Sequence, residues 1–308
     1  MVQIKGLTKR YAKLTAVDDL SFHIARGDAF GFIGPNGAGK TTTIRMLATL
    51  LTPDEGTALV SGHDIRQDPE SVRAKVGYMP DFFGLYDDMR VWEYLDFFGA
   101  AYRVPASDRP GLIDDVLELT DLTGKKDAYV DALSRGMKQR LCLAKTLVHD
   151  PDVLLLDEPA SGLDPRARIE IRELLLELCK MDKTILISSH ILTEMSELCN
   201  KVAIIEQGKL VMAGAVAEIS NRLEGGLRLV IRIKDSLEEA CVFTANLPGI
   251  AGVEPRDGHL EATYVGEPDA QHEVLSALVT GGFRVQSFTE QETNLESMYM
   301  RLTRGVVS

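Results

Sequence analysis

The 308-residue sequence has no long hydrophobic run and little positive charge. No apolar run reaches the roughly 18–20 residues that a helix needs to cross a bilayer, so we expect any membrane role to depend on a separate subunit. Acidic residues outnumber lysine and arginine by 46 to 34, and the net charge of −12 argues against a broad basic surface for nucleic acid or anionic lipid. The start, Met-Val-Gln-Ile-Lys-Gly, is unlike a secretory signal, and we expect a cytoplasmic protein.

Cysteine is also scarce. Cys142, Cys179, Cys199 and Cys241 are scattered and form no C-x-x-C pair. Three of them lie in helix-like apolar patterns, which favours buried free thiols in a reducing cytosol over a disulfide framework or a metal site.

Strand and helix patterns alternate along the first 220 residues. Short alternating runs over residues 2–32 predict an antiparallel strand region. The continuous apolar runs Val153–Leu156 and Thr184–Ser188 predict strands buried on both faces, and a helical pattern over 165–181 separates them. Residues 85–150 have a largely helical pattern. This order predicts an α/β core.

The composition changes after residue 220, where Gly225-Gly226 predicts a linker over 221–226. Residues 227–308 follow in the order β-α-β-β-α-β, which predicts a small α+β domain, with a last helix beginning near Thr293. The domain shows no catalytic cluster. We expect it to stabilise a dimer, while a regulatory ligand site and a simple buttress remain alternatives.

A complete phosphate-binding loop, Gly34-Pro-Asn-Gly-Ala-Gly-Lys-Thr41, directly follows an apolar strand pattern. Its glycines allow the backbone to turn N–H groups toward a polyphosphate. Lys40 supplies charge for the β- and γ-phosphates, and the Thr41 hydroxyl can ligate Mg²⁺. The predicted nucleotide-binding residues of the loop are Gly34, Asn36, Gly37, Ala38, Gly39, Lys40, Thr41 and Thr42.

Two further elements carry chemistry. The apolar run Val153–Leu156 delivers Asp157, which can hold Mg²⁺, and Glu158, which can orient or deprotonate a water. Residues 133–140 open a helix with Ser134 as a good N-cap and Gly136 permitting close approach of an anion. On these residues alone, a plain helix cap is an equally good interpretation.

With these elements in this order, residues 1–220 resemble the ATP-binding subunit of an ATP-binding-cassette (ABC) transporter. The resemblance implies a P-loop NTPase fold: a RecA-like core with an antiparallel β subdomain and a helical subdomain at about 82–150. It also implies a homodimer or paired cassette in which two chains meet head to tail. Each ATP, with Mg²⁺, would lie between one P-loop and Ser134 and Gly136 of the other chain.

Three other segments resemble functional parts of that family. Tyr11 resembles the aromatic residue that stacks on adenine, although a strand-edge tyrosine is equally consistent with the sequence. The segment Ser161-Gly-Leu-Asp164 resembles the loop that crosses to the other subunit. His190 resembles the switch histidine that contacts the γ-phosphate.

The sequence departs from the family pattern at three places. Asp81 stands where the family has a glutamine, and we expect it to keep a metal-linked catalytic role while altering turnover. Arg135 and Met137 replace a glycine and a glutamine of the signature, and Arg135 is expected to add positive charge at the shared site. Ala160 replaces a frequent threonine, with little expected effect.

An aromatic-rich stretch lies between Phe82 and Phe98. Aromatic residues at helical spacing usually belong to the core, and this is the favoured interpretation. The resemblance implies a second one, in which residues 82–92 form part of the groove that receives a helix from the membrane subunit.

The resulting hypothesis is an ATP-hydrolysing motor of a transporter, peripheral on the cytoplasmic face of the cell membrane, working through an integral membrane subunit and binding no nucleic acid. The C-terminal domain resembles those of exporters for drugs, ions or lipid-linked sugars. One alternative is a soluble ABC ATPase in translation or DNA maintenance. Such proteins carry two cassettes or a long coiled coil, neither of which occurs in this sequence. The other alternative is a nucleotide-dependent scaffold that does not hydrolyse ATP.

Overall fold

The computed structural model describes residues 1–82, 84–190, 195, 198–216, 218–219, 227–256, 258–267 and 270–290. The chain divides into two compact units, Met1–Gly214 and a second that begins at Ala215. The sequence predicts the boundary a few residues later, at residue 220. The predicted linker at 221–226 and the predicted helix near Thr293 lie outside the described residues. Among the helices that are described, none combines the length and apolarity needed to span a bilayer.

The first unit mixes strands and helices along the chain. Its strands are β1 (Val2–Tyr11), β2 (Leu14–Ile24), β3 (Ala29–Ile33), β4 (Glu55–Val60), β5 (His63–Asp64), β6 (Val76–Met79), β7 (Val153–Asp157), β8 (Thr184–Ser189), β9 (Lys201–Glu206) and β10 (Lys209–Ala215). Its helices are α1 (Lys40–Leu47), α2 (Pro69–Lys75), α3 (Val91–Ala101), α4 (Arg109–Leu119), α5 (Arg135–Leu147) and α6 (Pro165–Lys180).

These strands form two sheets. An antiparallel sheet has the order β2-β1-β4-β5, which agrees with the alternating pattern at the start of the sequence. The larger sheet has the order β10-β9-β3-β8-β7-β6, and β3 pairs in parallel with β8 and β9, as β7 does with β6 and β8. Every residue of β3, β7 and β8 is buried, which explains their continuous apolar runs.

The register of the parallel strands brings three strand ends to one level. Ile33 at the end of β3 pairs with Ser189 at the end of β8. Asp157 at the end of β7 pairs with Ser188. The residues that follow each strand therefore emerge side by side at the carboxyl edge of the sheet, where open α/β sheets bind their ligands.

The predicted helical stretch between the core strands contains α3, α4 and α5. Proline at the second position of α4, Pro110, is tolerated because the first-turn N–H groups have no intrahelical acceptor. Ser134 is confirmed as the N-cap of α5, since its Oγ accepts a hydrogen bond from the Met137 N–H at 3.3 Å. Here the chain agrees with the sequence interpretation of a helix beginning directly after Ser134.

The second unit confirms the predicted β-α-β-β-α-β order. It consists of β11 (Leu227–Ile233), α7 (Leu237–Ala245), β12 (Ile250–Arg256), β13 (His259–Tyr264), α8 (His272–Thr280) and β14 (Val285–Glu290). The antiparallel sheet has the order β12-β13-β11-β14. Pro255 lies in β12, an edge strand in that order, which is where proline is tolerated in a sheet.

The four cysteines are free, as the sequence predicts. Cys142 and Cys199 are buried, but Cys179 and Cys241 are only partly buried, so the expectation of buried thiols is wrong for these two. Cys179 lies near the end of α6 and Cys241 within the short α7, and neither is among the buried residues of its helix.

Candidate active site

The phosphate-binding loop connects β3 to α1 and places the helix N-terminus at the carboxyl edge of the large sheet. Gly39 precedes α1 with φ 104°, and a Cβ atom there would lie 2.4 Å from the Ala16 carbonyl oxygen, so the position requires glycine. No side chain caps α1, and its first turn contains no acidic residue. Its free N–H groups and positive dipole end can therefore bind an anion.

Lys40 is buried in this loop, with 6% of its surface exposed. Its Nζ donates to the carbonyl oxygens of Gly34 at 2.6 Å and Pro35 at 3.3 Å, and lies 3.7 Å from Glu158 Oε1. Burial lowers the pKa of Lys40, and the Glu158 and Asp157 carboxylates partly oppose that shift. The fold thus fixes the lysine charge between the loop and the strand-end carboxylates.

Asp157 is almost completely buried, with 1% of its surface exposed. Its Oδ1 accepts a hydrogen bond from Ser188 Oγ at 2.6 Å. Its Oδ2 is buried and has no hydrogen-bond partner among the described residues. An unpaired buried carboxylate oxygen is costly, and it fits a Mg²⁺ ion, which takes oxygen ligands. Thr41 supplies a hydroxyl at the start of α1, after β3, which is separated from β7 by β8 alone.

Ser188 is a site residue that the sequence interpretation missed. Besides binding Asp157, its Oγ accepts a hydrogen bond from the Glu158 N–H at 3.1 Å. The available signal is a hydroxyl residue near the end of an otherwise apolar strand. That signal becomes useful only once the strand is known to pair with the one that carries Asp157.

Glu158 follows Asp157 with a left-handed backbone, φ 52°. Its Oε2 lies 2.8 Å from His190 Nδ1, while its Oε1 faces Lys40. The Glu158 side chain is 14% exposed, and that of His190 is 50% exposed. Lys40, Glu158 and His190, found separately in the sequence, therefore form one chain of polar contacts.

These residues border a cleft of about 430 Å³ at the sheet edge. Its lining includes most of the predicted residues: Tyr11, Asn36, Gly37, Ala38, Gly39, Lys40, Thr41, Thr42, Asp81, Glu158 and His190. Leu14, Ala16, Pro35 and Ser161 complete it. Gly34 and Asp157 are outside this lining; the Gly34 carbonyl oxygen accepts a hydrogen bond from Lys40, and Asp157 directly precedes Glu158. Tyr11 is 45% exposed at one side of the cleft, and Asp81 is exposed at another.

Ser134 and Gly136 are absent from the lining of this cleft. Both lie at the N-terminus of α5, where Ser134 is exposed and Gly136 partly exposed. The two predicted halves of the nucleotide site therefore occupy different places on one chain.

Known proteins resemble the chain both in sequence and in structure. The family model described as "ABC transporter" matches residues 17–161. A Nod factor export ATP-binding protein I from Ralstonia nicotianae is 38% identical over 304 residues, which cover 98% of this chain and 94% of that protein. A protein of the same name from Paraburkholderia xenovorans is 44% identical over 214 residues, 70% of each chain. The chain belongs to the ABC transporter family.

The fold agrees with this assignment. The ATP-binding subunit of an ABC transporter superposes with a TM-score of 0.66 and 28% identity, covering 73% of this chain and 93% of that one. The ABC protein described here is an ATP-binding, ATP-hydrolysing transporter subunit with a P-loop NTPase fold. Neither alternative, a soluble ATPase of translation or DNA maintenance or a non-hydrolysing scaffold, receives support from these relatives.

We predict that Lys40→Ala weakens ATP binding by about 100-fold, because truncation removes the phosphate-facing charge and leaves Glu158 without its buried cation. Titration with a fluorescent ATP analogue measures the effect. Lys180→Ala is the matched control, since it removes an equal charge from an exposed pair with Glu177 at the end of α6. Equal ATP affinity in the Lys40 variant and the unmodified protein would contradict the prediction.

Proposed function

We propose that this ATPase works as a head-to-tail pair of chains that hydrolyses Mg²⁺-bound ATP and drives export through a separate membrane subunit. The observation that supports the pair is the separation of Ser134 and Gly136 from the P-loop cleft of the same chain. The exposed N-terminus of α5, next to its capping serine, has N–H groups that can donate hydrogen bonds to the phosphate oxygens of a nucleotide bound to a second chain. Two such clefts would each be completed by the other chain.

Within each cleft we assign Glu158 as the general base. Its carboxylate accepts a proton from water while the water oxygen attacks the γ-phosphorus, and the bond to the bridging oxygen breaks so that ADP leaves with the electron pair. Lys40 and the N-terminus of α1 stabilise the phosphate charge. His190, 2.8 Å from Glu158, orients that carboxylate and can donate to the γ-phosphate.

Mg²⁺ fits the free oxygen of Asp157 and the hydroxyl of Thr41, and when bound it neutralises the β- and γ-phosphate oxygens. Ser188 holds the other Asp157 oxygen and so fixes the orientation of the carboxylate. Asp81 lines the same cleft and is exposed, so its carboxylate can serve the ion directly or through water. We therefore propose a metal-linked role for Asp81.

Export is supported by the relatives, which are named as Nod factor export ATP-binding proteins. We infer that this chain powers export of a related class of substrate and lies on the cytoplasmic face of the membrane.

A cluster of aromatic side chains supports a membrane-subunit contact on the helical subdomain. Tyr94 is fully buried, as its helical spacing favours, but Phe82 is 87% exposed, Tyr86 51% and Phe97 47%. The rings of Tyr86 and Phe97 meet edge to face, 5.8 Å apart. Phe83, part of the predicted groove, lies outside the described residues. Exposed apolar rings of this kind fit a helix of a partner subunit.

We predict that Glu158→Gln lowers the ATPase rate by at least about 100-fold while ATP binding persists, because the amide cannot take the proton but keeps the shape of the side chain. The bound ATP should then trap a pair of chains, visible as a doubled mass by light scattering. Adding Ser134→Ala to this variant should prevent pairing. A Glu158→Gln chain that stays single at saturating ATP would contradict the head-to-tail pair.

We predict that Asp81→Ala raises the Mg²⁺ concentration for half-maximal ATPase by about tenfold, because a carboxylate that orients the ion or its water is lost. A Mg²⁺ titration at saturating ATP measures this. Asp88→Ala, an exposed carboxylate outside the cleft lining, serves as the control. Unchanged activity and Mg²⁺ dependence in the Asp81 variant would contradict a role for this residue at the metal.

We predict that Tyr86→Ala impairs transport and spares basal ATPase, because the ring contacts the partner subunit rather than the nucleotide. Transport and ATPase are measured together in vesicles containing both subunits. Met181→Ala, an apolar side chain that is 56% exposed at the end of α6, is the control. Equal loss of both activities would instead indicate a folding role for Tyr86.

A further inference from the structure

Helix α5 is joined to the loop that follows β7 at two points. Gln139 Nε2 donates to the Pro159 carbonyl oxygen. Arg135 Nη2 donates to the Ser161 carbonyl oxygen at 3.4 Å. The two donors are four residues apart and therefore share a face of α5. Gln139 is buried with 1% exposure, whereas Arg135 is exposed, so the first contact is fixed and the second can be released.

The guanidinium of Arg135 packs closely over Gly162. A Cβ atom on Gly162 would lie 2.1 Å from Arg135 Nη2 and 2.7 Å from its Cζ. Gly162 also has φ 66°, a conformation that side chains disfavour. The loop thus leaves room for the guanidinium by having glycine at this position.

The loop is anchored at its far end by Asp164, whose Oδ1 accepts from the N–H groups of Arg166 and Ala167 at 3.0 Å each. Its middle reaches the nucleotide cleft, because Ser161 is part of the cleft lining. The Ser161 N–H donates to the Glu158 carbonyl oxygen at 3.0 Å, which closes a turn around the general base. Displacing Ser161 therefore changes the surroundings of Glu158 directly.

Arg135 also lies between Ser134 and Gly136, which on the proposed function face the ATP of the other chain. One side chain thus connects two sites. Its backbone belongs to the surface that closes over the partner's ATP, and its guanidinium binds the loop that serves the chain's own ATP.

We propose that Arg135 is a positioning residue that couples the two ATP sites of the pair, an inference that rests on the proposed head-to-tail arrangement. Seating the partner's ATP on Ser134 and Gly136 shifts the first turn of α5, with buried Gln139 as the pivot. Arg135 carries that shift to Ser161 and, through the turn, to Glu158. Hydrolysis at one site then depends on occupancy of the other.

The test is the ATP dependence of the ATPase rate in the full-length protein. We expect a Hill coefficient above 1 for the unmodified protein, approaching 2 at most for two sites. Arg135→Ala should lower it to about 1 and reduce kcat about fivefold, with little change in ATP affinity measured by direct titration. Arg135→Lys should restore part of the coefficient, because it keeps a cationic donor. Arg26→Ala, an exposed arginine paired with Asp182 before β3, is the charge-matched control and should match the unmodified protein.

Gly162→Ala tests the contact from the other side, because its Cβ displaces the guanidinium without altering the signature residues. If the contact carries the coupling, Arg135→Ala and Gly162→Ala lower the Hill coefficient alike, and the double variant is no worse than either single one. Additive losses in the double variant would overturn the proposal.

The outcomes separate this inference from the proposed function. If Glu158→Gln fails to pair in ATP, the head-to-tail arrangement fails and the coupling fails with it. If Glu158→Gln pairs but Arg135→Ala keeps the coefficient of the unmodified protein, only the role of Arg135 is overturned. A Hill coefficient of 1 in the unmodified protein would also overturn the proposed role of Arg135.

Discussion

The hydrogen-bond register between β3, β8 and β7 is the constraint on which the site depends. It ends three strands at one level, so the P-loop, His190 and the Asp157-Glu158 pair emerge together. A slip of one residue in β7 would turn Asp157 to the opposite face of the sheet and remove it from Ser188. Successive side chains of these buried strands pack on opposite faces of the sheet, so a slip would also disrupt close packing on both faces.

The site also depends on a balance between its negative and positive charges. Asp81, Asp157 and Glu158 lie at or beneath a cleft in which Lys40 is the buried cation, and a polyphosphate adds further negative charge. Surface ion pairs are worth little, but a buried lysine beside a carboxylate is poorly screened and its loss is expensive. On the proposed function, the dipole of α1 and a metal ion held by Asp157 would offset the remaining repulsion. On that proposal, phosphate binding and metal binding depend on the same few residues.

Much of the fold and site could be predicted because local sequence carried the signal. The P-loop, Asp157, Glu158 and the β-α-β-β-α-β order all follow from patterns within short windows. Ser188 and Arg135 could not be interpreted in this way, because their partners lie 31 and 26 residues away and are set by strand pairing and by packing of α5 on a loop. The exposed ring of Phe97 in α3 shows the same limit, since helical spacing alone does not say which side of a helix is covered, and Tyr86 precedes this helix although the predicted helical pattern begins at residue 85.

The left-handed backbone of Glu158 has a consequence for stability. A non-glycine residue in that conformation costs about 1–2 kcal/mol, so local strain is stored at a residue that lines the cleft. Replacing Glu158 by glycine would relieve this strain while removing the carboxylate from the cleft. On the proposed function, the strain therefore lies at the residue that takes the proton from water.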